Sequence, residues 1–290
     1  MFICSHFKLR TRTQYPIRNL TSQPLLFVLL LITRYLPFAL ALRNSEQVAL
    51  CGFIAATDIA SKSGYDEWSC NTNGFTSSDP CASGSVWTGL TCSGGDVDSV
   101  SLGTVGFSGT IPPALGGLFA LTRLSMNPNS LSGAIPPEFG SLSNLVNFHL
   151  GQSSLSGSIP AEIGSLLLLT YLAVNANSLS GSLPSSLGSL TALAELHVQS
   201  NELDGSIPSE LGGLTDLLIA VLGSNSFTGS VPGALCSLLV LTSLDIQSNP
   251  ALTCYPSCLS SVGSLSVGSV LQCPSGQDEA LCGFIAATDI

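Results

Sequence analysis

Leucines recur at intervals of 24 residues along most of the chain, and each one opens the same short pattern of apolar and polar positions. The leucine series comprises Leu121, Leu145, Leu169, Leu193, Leu217 and Leu241. After Leu193, Leu196 and Val198 alternate with Glu195 and His197. This period of two predicts a short strand with one face inside and the other exposed. A fixed repeat of this length predicts a solenoid, in which successive coils stack.

Three further columns of residues share the 24-residue step. The glycines are Gly109, Gly133, Gly157, Gly181, Gly205 and Gly229, and the prolines are Pro112, Pro136, Pro160, Pro184, Pro208 and Pro232. Glycine permits a tight bend, and proline fixes φ and prevents helix continuation. Asparagines at positions 129, 177, 201, 225 and 249 follow the strands, where a side-chain amide can pair with backbone groups of neighbouring coils. Ser153 and Val105 interrupt the asparagine column, which predicts weaker pairing there.

The run Asn129-Ser130-Leu131-Ser132-Gly133-Ala134-Ile135-Pro136 resembles the plant-type subclass of extracellular leucine-rich repeats. This subclass includes polygalacturonase-inhibiting proteins and the ectodomains of receptor-like kinases and receptor-like proteins. The resemblance implies an α/β solenoid: a right-handed coil with a concave parallel β-sheet and capped ends. We assign residues 96–255 to the repeats, six of them clear and the seventh degenerate.

Residues 42–95 resemble the N-terminal cap of that subclass. The resemblance rests on the helix-like run from Ala49 to Phe53, on Trp68, and on the tryptophan that precedes Cys92. It implies a helical cap with a Cys81–Cys92 disulfide. Cys51 and Cys70 resemble an additional bridge.

Residues 256–279 are assigned to an irregular C-terminal cap and linker, because the leucine period fades there. Cys236, Cys254, Cys258 and Cys273 allow three pairings. Cys236 and Cys258 are separated by nearly one coil, so stacking favours Cys236–Cys258 together with Cys254–Cys273. Disulfides imply an oxidising compartment.

Both ends of the chain carry a further signal. Residues 1–41 have a basic stretch, an apolar run from Leu25 to Thr33 and a small-residue site ending at Ala41, which is typical of a secretory signal peptide. An uncleaved signal anchor is the alternative. Residues 280–290 repeat residues 49–59 without a mismatch, which predicts the start of a second N-terminal cap. A short duplicated tail is the alternative there.

The charge of the chain changes sign after the signal. From Leu42 onward the formal net charge is −15, with only Arg43, Lys62 and Arg123 as basic residues. Nucleic acid is excluded as a partner, because binding to phosphates needs clustered lysine and arginine. A basic partner is favoured. Membrane association is expected only through an uncleaved anchor or a span added by a longer chain.

The sequence contains no recognised arrangement of catalytic residues. His149 and His197 share one strand column but lie two coils apart, about 10 Å, which is too far for a comfortable shared zinc. Glu195 and Asp245 are similarly separated and lack groups that would orient them as acid and base. We therefore expect no enzyme activity, no metal site and no cofactor.

The exposed strand positions are the candidate binding site, since the solenoid presents them on a preformed surface. The candidate residues are Arg123, Asn127, Asn147, His149, Tyr171, Asn175, Glu195, His197, Gln199 and Asp245. The leading hypothesis is a secreted or cell-surface module that binds a protein or peptide, for ligand perception or inhibition of a secreted enzyme, as the resemblance implies. The alternative is a structural or adhesive wall or matrix protein that binds polysaccharide or cations.

Overall fold

The computed structural model describes residues 46–71, 74–75, 79–81 and 87–274. The predicted signal peptide, residues 1–41, and the repeated segment at residues 280–290 lie outside the described residues. Everything below concerns the unit that begins at Arg43.

An N-terminal cap closes one end of the core. Residues 46–56 form helix α1, which buries Ala49, Leu50 and Phe53 on one face. A 3-10 helix, η1 (Ile59–Ser61), and a two-stranded hairpin of β1 (Cys70–Asn71) and β2 (Gly74–Phe75) follow. The Phe53 ring meets the Phe107 ring edge-on at a centroid distance of 5.6 Å. The cap thereby continues the apolar column of the first coil.

Nine strands form one long sheet with one short strand from each coil. The strands are β3 (Leu90–Ser93), β4 (Asp96–Ser101), β6 (Arg123–Ser125), β8 (Asn147–His149), β10 (Tyr171–Ala173), β12 (Glu195–His197), β14 (Ile219–Val221), β16 (Ser243–Asp245) and β19 (Ser264–Ser266). β3 and β4 pair antiparallel, and all later neighbours pair parallel. The register places Leu172 beside Leu196, so the 24-residue period becomes the step between strands. The predicted concave parallel sheet is confirmed.

A second sheet lies elsewhere on the coils and was not predicted. Its five strands are β5 (Ser108–Thr110), β7 (Ser130–Gly133), β9 (Ser154–Gly157), β11 (Ser178–Ser182) and β13 (Glu202–Asp204). Shorter pairs continue the coils, namely β15 (Thr228–Gly229) with β17 (Ala251–Leu252), and β18 (Cys254–Tyr255) with β20 (Leu271–Gln272). The glycine column, predicted only as a bend, lies in or next to these strands and is the last residue of β7 and β9, where φ at Gly133 and Gly157 is 78° and 75°. Glycine adopts this conformation without steric cost.

Seven further 3-10 helices complete the coils on the side opposite the long sheet. They are η2 (Pro113–Gly117), η3 (Pro137–Ser141), η4 (Ala161–Ser165), η5 (Ser185–Ser189), η6 (Ser209–Gly213), η7 (Gly233–Ser237) and η8 (Ser257–Ser261). An extended proline precedes each helix, such as Pro184 before η5 (φ −65°). Each helix also buries an apolar side chain, such as Leu187. Proline therefore ends the preceding extended segment and starts a short 3-10 turn.

The inward side chains of all coils form one continuous apolar core from Ala49 to Val270. Leu196 and Val198 are fully buried in it. Stacking removes these side chains from water, and burial of each contributes about 1.5–3 kcal/mol. A single coil cannot bury them, so the coils are stable only as a stack.

The asparagine column forms a hydrogen-bond ladder between the coils. Asn201 Nδ2 donates to the carbonyls of Val174 and Val198, both at 3.0 Å. Its Oδ1 accepts from the Leu179 N–H at 3.0 Å. Ser153 makes one weak contact in this column, from its hydroxyl to the Asn129 carbonyl at 3.4 Å. The ladder therefore has fewer hydrogen bonds at Ser153, in agreement with the weaker pairing that the sequence predicts there.

Four disulfides join cysteines among the described residues. Cys51–Cys70 and Cys81–Cys92 lie in the N-terminal cap. Cys236–Cys258 and Cys254–Cys273 lie at the other end of the solenoid. Each bridge closes a loop of 11 to 22 residues, measured by sequence separation. Such closures stabilise the folded state, mainly by reducing the entropy of the unfolded chain.

Candidate ligand-binding surface

The outward positions of the long sheet form the candidate ligand-binding surface. Each three-residue strand buries its central side chain and turns its first and third outward, as in Glu195 and His197 around Leu196. Arg123 is exposed, and Asn147, His149, Tyr171, Glu195, His197 and Asp245 are half-buried. Asn127, Asn175 and Gln199 lie just beyond the strand ends, so they border this surface.

Three rings form a ladder across the centre of the surface. The Tyr171 ring lies 5.6 Å from the His149 ring and 5.5 Å from the His197 ring, measured between centroids. Parallel register puts Ala173 between the two histidines, and Ala173 is fully buried. Because Ala173 has only a methyl group, there is room for the Tyr171 ring. The ladder is a rigid, amphipathic patch of the kind that anchors protein ligands.

Electrostatics inside the ladder differ between the two histidines. His197 Nε2 lies 2.9 Å from Glu195 Oε2. Burial, reinforced by the nearby His197, lowers the pKa of His149 below its ordinary value of 6.5. Burial, reinforced by the Glu195 charge, raises the pKa of the Tyr171 hydroxyl. At neutral pH the Tyr171 hydroxyl is therefore a proton donor, and the His149 ring is neutral.

Charges of opposite sign stand at the two ends of the surface. Arg123 on β6 makes no ion pair within the described part of the chain. Asp245 on β16 is fixed, because its Oδ1 accepts from the Gln247 N–H at 3.0 Å. The Asp245 carboxylate extends over Gly223 of the preceding coil, where an added Cβ would lie 3.0–3.1 Å from its oxygens. Ile219 and Val221 on β14 form a half-buried apolar segment next to it.

The predicted residues thus form one continuous row rather than a compact cluster. Asn127 serves local structure, because its Oδ1 accepts from the Ser125 hydroxyl at 3.0 Å. Gln199 Oε1 is buried and has no partner among the described residues. No group of three or more metal-ligating side chains occurs in the described residues. None of the helices described there has the length and apolarity required to cross a bilayer.

The second sheet carries a surface that the sequence analysis missed. Short hydroxyl side chains occupy most of its outward positions and their continuations: Ser108, Thr110, Ser130, Ser132, Ser154, Ser156, Ser158, Ser178, Ser180, Ser182, Ser206, Ser226, Thr228 and Ser230. Ala134, Glu202 and Asp204 interrupt the array. Within the described part of the chain, two of these hydroxyls have protein partners: the Ser132 hydroxyl donates to Gly109 O, and the Ser108 hydroxyl hydrogen-bonds the Asp58 carboxylate. The sequence could have predicted this surface, because serine recurs in each repeat at the positions just before and after the glycine column.

The coils match a known repeat family. The family model named Leucine Rich Repeat matches residues 120–142 and 192–214, each of which is one coil. The crystal structure of pollen receptor kinase 3 is 30% identical, with a TM-score of 0.59 over 70% of this chain and 94% of that one. The chain belongs to the plant-type leucine-rich-repeat family. Among curated protein sequences, none matches the chain.

Two other solved structures show what solenoids similar to this leucine-rich-repeat protein bind. The Arabidopsis receptor kinase HAESA, solved with the peptide hormone IDA and the co-receptor SERK1, is 30% identical. Its TM-score is 0.64, over 77% of this chain and 36% of HAESA. A plant ice-binding protein is 26% identical, with a TM-score of 0.63 over 79% of this chain and 72% of its own. The present chain spans only about a third of the length of the HAESA chain.

Proposed function

We propose that this leucine-rich-repeat protein is a secreted or cell-surface module that binds a peptide or an extended protein segment on the concave sheet. The observation that carries the proposal is the His149–Tyr171–His197 ladder, three tilted rings in contact at the centre of a preformed surface. The structural similarity to HAESA with its bound peptide hormone supports this choice of ligand. The four disulfides support an oxidising, extracellular location.

A rigid surface favours this function energetically. The ladder residues lie on strands whose central side chains are fully buried, so no backbone segment has to be ordered when a ligand binds. Aromatic anchors in the centre of an interface carry a large share of binding energy, often 2 kcal/mol or more each. The neutral His149 ring and the protonated Tyr171 hydroxyl offer donors and acceptors around that apolar centre.

The test is a binding screen followed by substitution of the ladder. Peptides displayed on phage are selected on the full chain, and affinities are measured for the Tyr171→Ala, His197→Ala double variant. We expect at least a tenfold loss of affinity, with an unchanged circular dichroism spectrum. Phe119→Ala is the matched control, because Phe119 is an exposed aromatic residue outside the concave sheet. If the selected peptides bind the Tyr171→Ala, His197→Ala double variant as tightly as the unchanged chain, the binding site lies elsewhere.

We propose ice as a second candidate ligand, and the hydroxyl array of the second sheet favours it. Neighbouring strands are about 4.8 Å apart and alternate outward residues about 6.6 Å apart, so the hydroxyls form a regular two-dimensional net. The array leaves most hydroxyls free to order water, and a similar solenoid is a plant ice-binding protein. This candidate function does not involve the concave sheet.

Ice recrystallisation in a frozen sucrose film tests the second candidate. The full chain at micromolar concentration is expected to keep the ice crystals small during annealing. Ser156→Tyr, at an exposed position of β9, is expected to remove the effect by interrupting the net. Thr215→Tyr, at an exposed position away from the second sheet, is the control. Crystal growth equal to that in buffer would refute the ice-binding function.

A further inference from the structure

The charge of the outward side chains on the concave surface changes from positive to negative along the solenoid axis. From β6 to β16 its outward side chains change from the Arg123 cation, through the ring ladder, to the Asp245 carboxylate. Between them, the Glu195 carboxylate is held in a hydrogen bond by the His197 ring, with Oε2 and Nε2 2.9 Å apart. The charges at the two ends of this surface are therefore Arg123 and Asp245, with the Glu195 carboxylate bound to His197 between them.

Both ends are available to a ligand. Arg123 is exposed, and no ion pair occupies it among the described residues. On the neighbouring strand β4, Asp98 accepts a hydrogen bond from the Thr91 hydroxyl at 2.6 Å. Asp245 is half-buried, and the Gln247 N–H fixes its orientation. A fixed carboxylate loses little conformational freedom when a cation approaches it.

The distance between the ends sets the length of the ligand. Arg123 and Asp245 are five strand steps apart, which corresponds to about 24 Å at about 4.8 Å per step. An extended peptide rises about 3.3 Å per residue, so about seven residues cover this distance. The residues between would pass over the ring ladder and then over Ile219 and Val221.

We infer that the concave surface selects an extended peptide with an acidic and a basic residue about seven positions apart, joined by an aromatic or aliphatic segment. The acidic residue pairs with Arg123 and the basic residue with Asp245, while the segment between them packs on the ladder. This inference rests on the proposed peptide-binding function and specifies its partner. The net charge of −15 repels a wholly acidic peptide and attracts a basic one at long range, whereas Arg123 disfavours a basic residue in contact with its own end of the surface.

The experiment exchanges charges on both molecules. Three blocked synthetic peptides of about twelve residues share a Tyr-Leu centre and carry Glu and Lys, two Lys, or two Glu, about seven positions apart. Fluorescence anisotropy measures their affinities for the full chain at pH 7.5 and low salt. We expect the Glu/Lys peptide to bind about fivefold tighter than either peptide of one sign, the effect of one exposed ion pair. The difference should shrink at 1 M salt, where charges are screened beyond about 3 Å.

Charge-reversing variants change the order of the three peptide affinities in a way that does not depend on the direction in which the peptide binds. Arg123→Glu makes both ends negative, so the Lys/Lys peptide should become the tightest ligand. Asp245→Lys makes both ends positive, so the Glu/Glu peptide should become the tightest. The double variant should again prefer the Glu/Lys peptide, bound in the reverse direction. Urea denaturation of each variant confirms that it remains folded.

The outcomes separate this inference from the proposed function. An order of affinities that is the same in all four proteins overturns the charge selection. The peptide-binding function still stands in that case if Tyr171→Ala, His197→Ala abolishes binding. Failure of all three peptides to bind, while phage-selected peptides do bind the ladder, also overturns the charge selection alone. Peptides that bind without any dependence on the ladder overturn the proposed function itself.

Discussion

Replacement of Asn201 by alanine should destabilise the solenoid far more than replacement of Ser153, although both residues occupy the same position in their coils. Asn201 makes bonds to three backbone groups within 3.0 Å: the carbonyls of Val174 and Val198, and the N–H of Leu179. The Ser153 hydroxyl makes one contact, at 3.4 Å. The two positions therefore form a matched pair.

The magnitude follows from which groups lose their partners. Val174 O still accepts from Asn177, and Val198 O still accepts from Asn225, so neither carbonyl is left unpaired. The Leu179 N–H loses its Asn201 acceptor, which costs about 1–3 kcal/mol. Each of the two lost donor bonds costs about 0.5–1.5 kcal/mol. The free energy of unfolding should therefore fall by about 3 kcal/mol in Asn201→Ala.

The same reasoning gives the expected values for the Ser153 variants. Ser153→Ala removes one long contact and should cost about 0.5 kcal/mol or less. Ser153→Asn inserts the missing rung, with carbonyls of adjacent coils as acceptors, and should stabilise the fold by about 1 kcal/mol. Equilibrium urea denaturation with intact disulfides, followed by circular dichroism, measures all three values. Equal losses in Asn201→Ala and Ser153→Ala would refute the ladder as a source of stability.

Three further predictions concern the core, a cap and the pH dependence. Leu196→Ala, at a fully buried position, should lower the unfolding free energy by about 2–5 kcal/mol, measured in urea; a loss below 1 kcal/mol would contradict a packed core. Removal of the Cys81–Cys92 bridge by serine substitution should cost about 2–4 kcal/mol, since it releases an 11-residue closure, and an unchanged thermal midpoint would count against this role. Because burial lowers the pKa of His149 in the folded state, the unfolded chain binds this proton more tightly. Stability from this group is therefore present above about pH 6.5 and lost on acidification below it, and His149→Gln should flatten that part of the stability profile.

The repeat itself could be predicted from the sequence because a 24-residue period leaves few structural solutions. Leucines such as Leu172 and Leu196 must enter one core, and they become direct neighbours in the parallel sheet. The outward residues of each strand follow from alternation alone, which is why the row from Arg123 to Asp245 was identified. The hydrogen bonding of the asparagine column, and its weakening at Ser153, could also be predicted, because an amide side chain placed after each strand has mainly backbone groups within reach.

Tertiary structure decided how neighbouring coils use their surfaces. The second sheet escaped prediction because Ser-Leu-Ser-Gly resembles a turn in one coil and becomes a strand only when the next coil supplies its hydrogen-bond partner. The ring ladder likewise depends on Ala173, whose small side chain makes room for Tyr171 between histidines 48 residues apart in sequence. Sequence alone thus determines which residues recur and which side they take, because periodicity is local. Contacts between coils depend on their stacking register and on the size of the side chains that meet, which only the folded chain fixes.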